Sequence, residues 1–362
     1  MILAMVLPVG AFGVSAALTS LVRKVALTVD FCAHPRQDRY HRTVIALGGG
    51  IAIFWTIALF VLAGLAGAYL AEAGRIAFID KSLSDHLEGF INRSRDLWVV
   101  LGCAAMLHLL GLWDDKKRLG PYLKLAVQFG VATAAAVFAD VRVEMFIPNK
   151  VITTLLSVLW IVGIMNVFNF LDNMDGCSAG IAMIVVGVLL TAAVGSGQVF
   201  ISGLGLLFIG AVAGFWVWNF PPAKIFMGDC GSLVIGFFVA LLSLRTTYYH
   251  QNDGGGLYAV FMPLLALAVP LYDFVSVTFL RIKQGKSPLV GDTQHFSHRL
   301  RRRGLTDTQT ALTLYLATLC TGLGAIFLRQ VDFVGAILIF VQTLMTLAIV
   351  AILEATGKPC DQ

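Results

Sequence analysis

Charge is what this 362-residue chain has least of. Asp, Glu, Lys and Arg make up only 13% of it, about half the share of an ordinary soluble domain, against 58% hydrophobic residues and a mean hydropathy of +0.84. A single globular core of this length cannot hide so much apolar surface, whereas a bilayer solvates it directly along many helices. Soluble, disordered and fibrous classes are excluded. A strong excess of one sign is also missing: 26 Lys and Arg against 21 Asp and Glu leave +5. That is too little to suggest a nucleic-acid partner, and enough for the basic loops of a polytopic membrane protein. Cysteine is sparse and scattered. None of Cys32, Cys103, Cys177, Cys230, Cys320 and Cys360 stands in a CxxC pair, so neither a zinc site nor a disulfide framework is indicated.

What the chain has in quantity is long apolar runs. A helix needs about 20 apolar residues to cross the hydrocarbon, and charges, Pro/Gly clusters and Asn/Asp runs cut the chain into segments of that size. Eleven spans are predicted, near 2–22, 44–70, 97–113, 121–139, 147–170, 179–194, 199–219, 231–248, 257–280, 309–328 and 332–354. The first has no Lys or Arg before it and is followed by Arg23 and Lys24, the reverse of the charge order of a cleaved signal peptide. The N-terminus is therefore expected outside and the C-terminus in the cytoplasm. With that alternation 18 of the 26 Lys and Arg fall in cytoplasmic loops and 8 outside, in keeping with the positive-inside rule. The expected fold is an all-α integral membrane protein, a single polytopic domain over 1–362. Its loops 23–43, 114–124, 166–180, 219–232 and 281–308 would build a site on the cytoplasmic face.

The unusual polar clusters fall on that one side. Asp114 and Asp115 are adjacent carboxylates directly after an apolar run, and such a pair suits Mg²⁺, a hard cation that keeps waters while bridging to substrate phosphates. Asn166, Asn169, Asp172 and Asp175 recur every three residues, which on a helix places a polar stripe along one face at the end of an apolar span. Such a stripe is costly in lipid and has to face protein or a watery cavity. Asp229 stands between Gly228 and Gly231, just before a new span that includes Ser232. There a carboxylate and the amides of a helix N-terminus could together hold a metal-bound diphosphate, or Asp229 could simply cap the helix. The basic loop 281–303 carries His295 and His298 three apart and could grip phosphates or anchor the chain at the membrane surface. Asp273 is an intramembrane acid, functional by default, with Arg281 as a competing partner; His108 reads as a helix-packing residue.

Taken in order, these motifs resemble the bacterial polyprenyl-phosphate N-acetylhexosamine-1-phosphate transferases, relatives of phospho-N-acetylmuramoyl-pentapeptide transferase. The likeness covers nearly the whole chain. It runs through Pro35, Arg39, His41, Gly49 and Gly50, then Gly111 with Asp114 and Asp115, Lys124 with Gln128, and the Asn166–Gly176 stripe. It continues through Asn219 to Ser232, Pro270 to Asp273, and Asp292, His295 and His298.

The resemblance implies attack of an undecaprenyl or other polyprenyl phosphate on a UDP-N-acetylhexosamine, GlcNAc being favoured, with release of UMP and a requirement for Mg²⁺ or Mn²⁺. It also implies eleven spans in the bacterial inner (plasma) membrane, a site on the cytoplasmic face, and an envelope glycan as the destination; it allows a homodimer and involves no nucleic acid. By similarity, Asn169 and Asp229 would lie at the metal, Phe226 would stack on the uracil, and Asp172 and Asp175 would make catalytic or nucleotide contacts. Asp114 and Asp115 would sit beside the lipid phosphate. Asn166, Ser232, His295, His298, Arg39 and Lys124 would bind the UDP-sugar and its phosphates.

Three departures bear on the substrate rather than on the chemistry. Val44 to Leu47 stand where the family usually has prolines, Asn173 replaces a usual glycine, and Ser297 replaces a histidine. The last loop also lacks the consecutive histidines typical of the pentapeptide-transferring enzyme, which ranks that substrate lower. A secondary transporter would also carry intramembrane acids, but at the bilayer midplane and in repeated halves, and no repeat is visible here.

Overall fold

The protein is described by a computed structural model in which residues 2–34, 44–75, 89–143, 147–249, 256–286 and 296–355 are placed. Nearly all of them are helical. The first four helices are α1 (Ile2–Thr28), α2 (Gly49–Glu72), α3 (Ser94–Lys116) and α4 (Pro121–Phe138). Next come α5 (Lys150–Leu171), α6 (Cys177–Gly195), α7 (Val199–Asn219) and α8 (Asp229–Arg245). A 3₁₀ turn (Leu257–Phe261) leads into α9 (Met262–Ala266) and α10 (Ala268–Lys283), and the chain ends in α11 (Phe296–Arg302), α12 (Asp307–Phe327) and α13 (Phe333–Ala355).

Local chemistry sets the boundaries. Pro121 opens α4 at a position where its missing N–H is not needed, Asn149 caps α5 by accepting from the Val151 and Ile152 amides, and Thr306 with Gln309 forms a capping box on α12.

The chain is an all-α integral membrane protein. Among the described residues nine helices are long and apolar enough to cross a bilayer, and ten if the bent pair around Leu267 counts as one span. That pair turns by 63°, where Pro270 has no N–H to continue the ladder from the Ala266 carbonyl. The segment predicted at 231–248 is α8, at 17 residues shorter than any of the nine helices counted as spans. Its burial accounts for its length: every residue from Cys230 to Ser243 is enclosed, with α2, α3, α5, α6 and α7 around it. A helix solvated by other helices need not match the thickness of the bilayer. By contrast, α1 and α13 leave Met5, Val9, Leu344 and Met345 exposed, as a lipid-facing surface requires.

Successive helices alternate in direction, so α1, α3, α5 and α7 finish where α2, α4, α6 and α8 begin. This shared end is fastened by backbone. Strands β1 (Cys32–Ala33) and β2 (Ile45–Ala46) pair antiparallel, Ala46 bridges to Ile225, and the Gly49 and Gly50 amides donate to the Phe226 and Met227 carbonyls at 2.9 and 3.0 Å.

Candidate active site

The polar clusters singled out in the sequence converge at that end of the bundle. Asp115, in the last turn of α3, accepts from the Asp229 amide at 2.8 Å and from the Cys230 amide at 3.2 Å. Gly228 makes this approach possible: it adopts φ +75°, and a Cβ there would lie 2.5 Å from Asp115 Oδ2. Asp114 points elsewhere. It accepts from the Leu119 amide at 2.6 Å and from Lys124 Nζ at 3.0 Å, and Lys124 also forms an ion pair with Asp229. The adjacent carboxylates of the sequence therefore have separate tasks, one clamped to the start of α8 and the other tied to α4.

The stripe on α5 divides in the same manner. The helix ends at Leu171, so the expected run of four on one helical face stops at Asp172, its C-cap, and Asp175 lies beyond it in a turn. Asn169 donates to Ser232 on α8 at 2.9 Å, whereas Asn166, a turn deeper, donates to Gln128 on α4 at 2.6 Å and to the Val162 carbonyl. Asp175 accepts from the Ala223 amide at 2.8 Å. Asp172 is half-buried, and the loss of water around it, reinforced by the negative charges of Asp229, Asp115 and Asp175, holds its carboxyl well above the usual carboxylate range; a bond from the Gly228 amide opposes the shift.

The sequence leaves the start of α8 open to two readings, a cradle for a metal-bound diphosphate or an ordinary capped helix entry. Asp115 takes the amides of Asp229 and Cys230, and those of Gly231 and Ser232 donate to the Gly228 carbonyl at 3.0 Å. The end of this helix is satisfied from within the protein.

Phe226 is half-buried on the segment bridged to β2. Arg39, Asp292 and His295 lie outside the described residues, and His298 falls on α11 with its side chain outside them. His108 packs as expected, stacked on Phe54 at 4.5 Å, and its Nδ1 lies 3.0 Å from the Cys230 carbonyl. Buried Asp273 has Arg299 of α11 at 4.0 Å.

Several supports have no obvious mark in the sequence. Asn219 accepts from the Gly176 amide at 3.0 Å and donates to the Ile225 carbonyl at 2.9 Å, joining the two acidic loops. Tyr315 on α12 donates to the Gly176 carbonyl at 2.6 Å and accepts from Trp216. Ser297 on α11 donates to Asn173 at 2.6 Å, so two of the family departures are partners. The one available signal was the polar Asn219 at the end of an apolar span.

The site suits a hard divalent cation in donor type and charge, because Asp114 and Asp229 meet at Lys124 and the negative charges of Asp229, Asp115 and Asp175 act on Asp172. Among the described residues no three His, Cys, Asp or Glu side chains already form a metal cage.

An all-helical membrane bundle with a carboxylate-rich centre at one end of its helices defines a polytopic membrane protein built to handle a polar reaction at the edge of the apolar phase. Residues 97–247, which contain most of the site, match glycosyl transferase family 4. The chain is 29% identical over 347 residues, 94% of its own length and 88% of the other's, to a probable undecaprenyl-phosphate N-acetylglucosaminyl 1-phosphate transferase of Bacillus subtilis. It is 29% identical over 325 residues to a decaprenyl-phosphate N-acetylglucosaminephosphotransferase of Mycobacterium tuberculosis, covering 82% of this chain and 76% of that one. A third relative, the undecaprenyl-phosphate alpha-N-acetylglucosaminyl 1-phosphate transferase of Escherichia coli K12, is 26% identical over 313 residues, again 82% and 76%. The match over 97–247 and these relatives, named as phosphotransferases acting on polyprenyl phosphates, liken the chain to glycosyl transferase family 4, and its long apolar helices make it a multi-pass membrane protein.

Proposed function

We propose that the protein transfers N-acetylglucosamine 1-phosphate from UDP-N-acetylglucosamine to undecaprenyl phosphate or a similar polyprenyl phosphate, releasing UMP, with Mg²⁺ required. The observation that carries the reading is the junction of α3, α4, α5 and α8, where Asp115 is clamped to the α8 amides and Lys124 bridges Asp114 and Asp229. The names of the relatives supply the polyprenyl phosphate and the N-acetylglucosaminyl 1-phosphate group, and the UDP donor follows from the resemblance of the motifs. The basic loops at this end support a cytoplasmic site in the bacterial inner membrane.

Two phosphate-bearing substrates repel each other, and the protein has to offset that charge where little water screens it. Asp229 and Asn169 would hold the metal, which when bound lends positive charge to the diphosphate as UMP departs. Asn169 is kept in place by its bond to Ser232. Lys124 can meet a phosphate oxygen from the α4 side. A phosphate monoester is already mostly dianionic at neutral pH, its second pKa lying near 6, so the lipid phosphate needs no general base. Both oxygens of Asp115 are occupied by amides, which favours positioning over attack by this carboxylate. The reaction is therefore read as a direct in-line displacement.

The test is UMP release by purified protein given Mg²⁺, undecaprenyl phosphate and a panel of UDP-sugars, beside Asp229→Asn. Lipid-dependent UMP from UDP-N-acetylglucosamine, abolished in the variant, is the expected result. Silence across the panel from folded protein would overturn the assignment.

A further inference from the structure

Lys124 occupies an unusual place for an ammonium group. It stands in the first turn of α4, with its side chain only 19% exposed, and joins two carboxylates from different elements: Asp114 closing α3 at 3.0 Å and Asp229 opening α8. Asp229 is also the carboxylate proposed above for the metal. An ammonium and a divalent ion on one partly buried carboxylate repel each other where the medium screens poorly, so each weakens the other's hold on it.

We propose that Lys124 is an exchangeable internal cation: its ammonium holds Asp229 while the metal is absent, and a divalent ion displaces it from that carboxylate. This rests on the metal reading of the preceding section. No covalent change is involved and no backbone movement is required, since the four-carbon stem of lysine rotates about its own bonds. Asp114 is fitted to retain the displaced group. Its other oxygen is pinned by the Leu119 amide at 2.6 Å, so it stays in place when the bridge opens. Asp115 already accepts an amide on each oxygen, whereas Asp114 is bonded to the ammonium from the outset. Two consequences follow for the site. Its appetite for metal is held down by its own side chain, and an anionic phosphate that attracts the ammonium favours metal binding from a distance.

The experiment is a Mn²⁺ titration of the full chain in detergent without substrates, with free Mn²⁺ read by electron paramagnetic resonance. Removing the competing charge in Lys124→Gln is expected to tighten Mn²⁺ binding about tenfold, a size typical of a change beside a metal's ligands. Lys124→Arg, which keeps the charge, is expected to bind like the wild type. A lysine with a merely structural role would give weaker binding when removed, so equal or weaker binding by Lys124→Gln overturns the exchange while leaving the metal reading intact. Absence of Mn²⁺ binding in wild type and variant alike overturns both. Should Lys124→Gln fail to fold, amine acetylation of the wild type followed by mass spectrometry decides. Labelling of Lys124 is expected to rise several-fold on saturation with Mg²⁺ while exposed Lys116 and Lys117 stay constant, and no rise at Lys124 refutes the proposal.

Discussion

Replacing Gly111 by Ala adds one methyl group where the structure has no room for it. Built on α3, that Cβ would lie 2.3 Å from both the Cα and the N of Cys230 and 2.4 Å from the carbonyl carbon of Asp229. All three are backbone atoms, so no side chain can turn aside. Ordinary contact requires α3 and α8 to part by roughly 1 Å. Asp115 stands one turn further along α3, and its bonds to the Asp229 and Cys230 amides, at 2.8 and 3.2 Å, would be stretched out of hydrogen-bonding range by such a shift.

Hydrogen bonds to a charged group contribute about 1.5–3 kcal/mol each, and the helix-propensity gain from Gly to Ala offsets about 1 kcal/mol of the loss. A net destabilisation of about 2–5 kcal/mol is expected, and a displacement of that size at a reacting centre lowers turnover about 100-fold. Gly102 on the same helix provides the control, since a Cβ there meets nothing within 4 Å and Gly102→Ala should leave activity unchanged. Thermal unfolding and UMP release, measured on both variants in the same detergent, decide the matter. A Gly111→Ala protein with wild-type melting and more than half the wild-type activity would refute the close-packing argument.

Asn173 and Ser297 should behave as a pair: each substitution to Ala is expected to cost about 1 kcal/mol in unfolding experiments, with the double variant costing little more than either alone. Additive losses would show that the bond between α11 and the acidic loop carries no energy. Asp172 links stability to pH in metal-free protein. Its folded-state carboxyl binds protons more tightly than the unfolded one, so its contribution is present below about pH 4 and is lost as pH rises toward the raised folded value. Melting profiles in chelator should therefore slope downward with pH in the wild type and flatten in Asp172→Asn; parallel profiles would refute the assignment.

The spans were legible because bilayer-scale apolar runs are long and charges interrupt them. The convergence of Asp114, Asn169, Asp172 and Asp229 followed from alternation, since every second loop has to return to the same end. What each residue does there was not legible. Asp114 and Asp115 are neighbours of identical chemistry, and only the direction in which the last turn of α3 presents them separates a clamp on backbone amides from a partner for Lys124. Period-three spacing carried Asp175 onto a helix face that ends at Leu171, because spacing does not report where a helix stops. The break between α9 and α10 was missed for a related reason: an apolar run containing Pro263 and Pro270 satisfies the hydropathy of a span without having its straightness. The bond between Asn173 and Ser297 joins positions 124 apart in the chain, and nothing local to either one announces the other.

The enclosure of α8 gives the protein an inner post that the surrounding lipid never touches. Stretching, thinning or exchanging the membrane works on outward faces such as those of α1 and α13 and reaches α8 only through the helices packed around it. The molecule is in that sense insulated, with a compliant rim that adapts to whichever bilayer holds it and an inner axis whose dimensions are set by contacts such as Gly50 on Gly231 and Gly236 on Met165. A change in the tail length of a lipid substrate therefore leaves the spacing of those contacts unaltered.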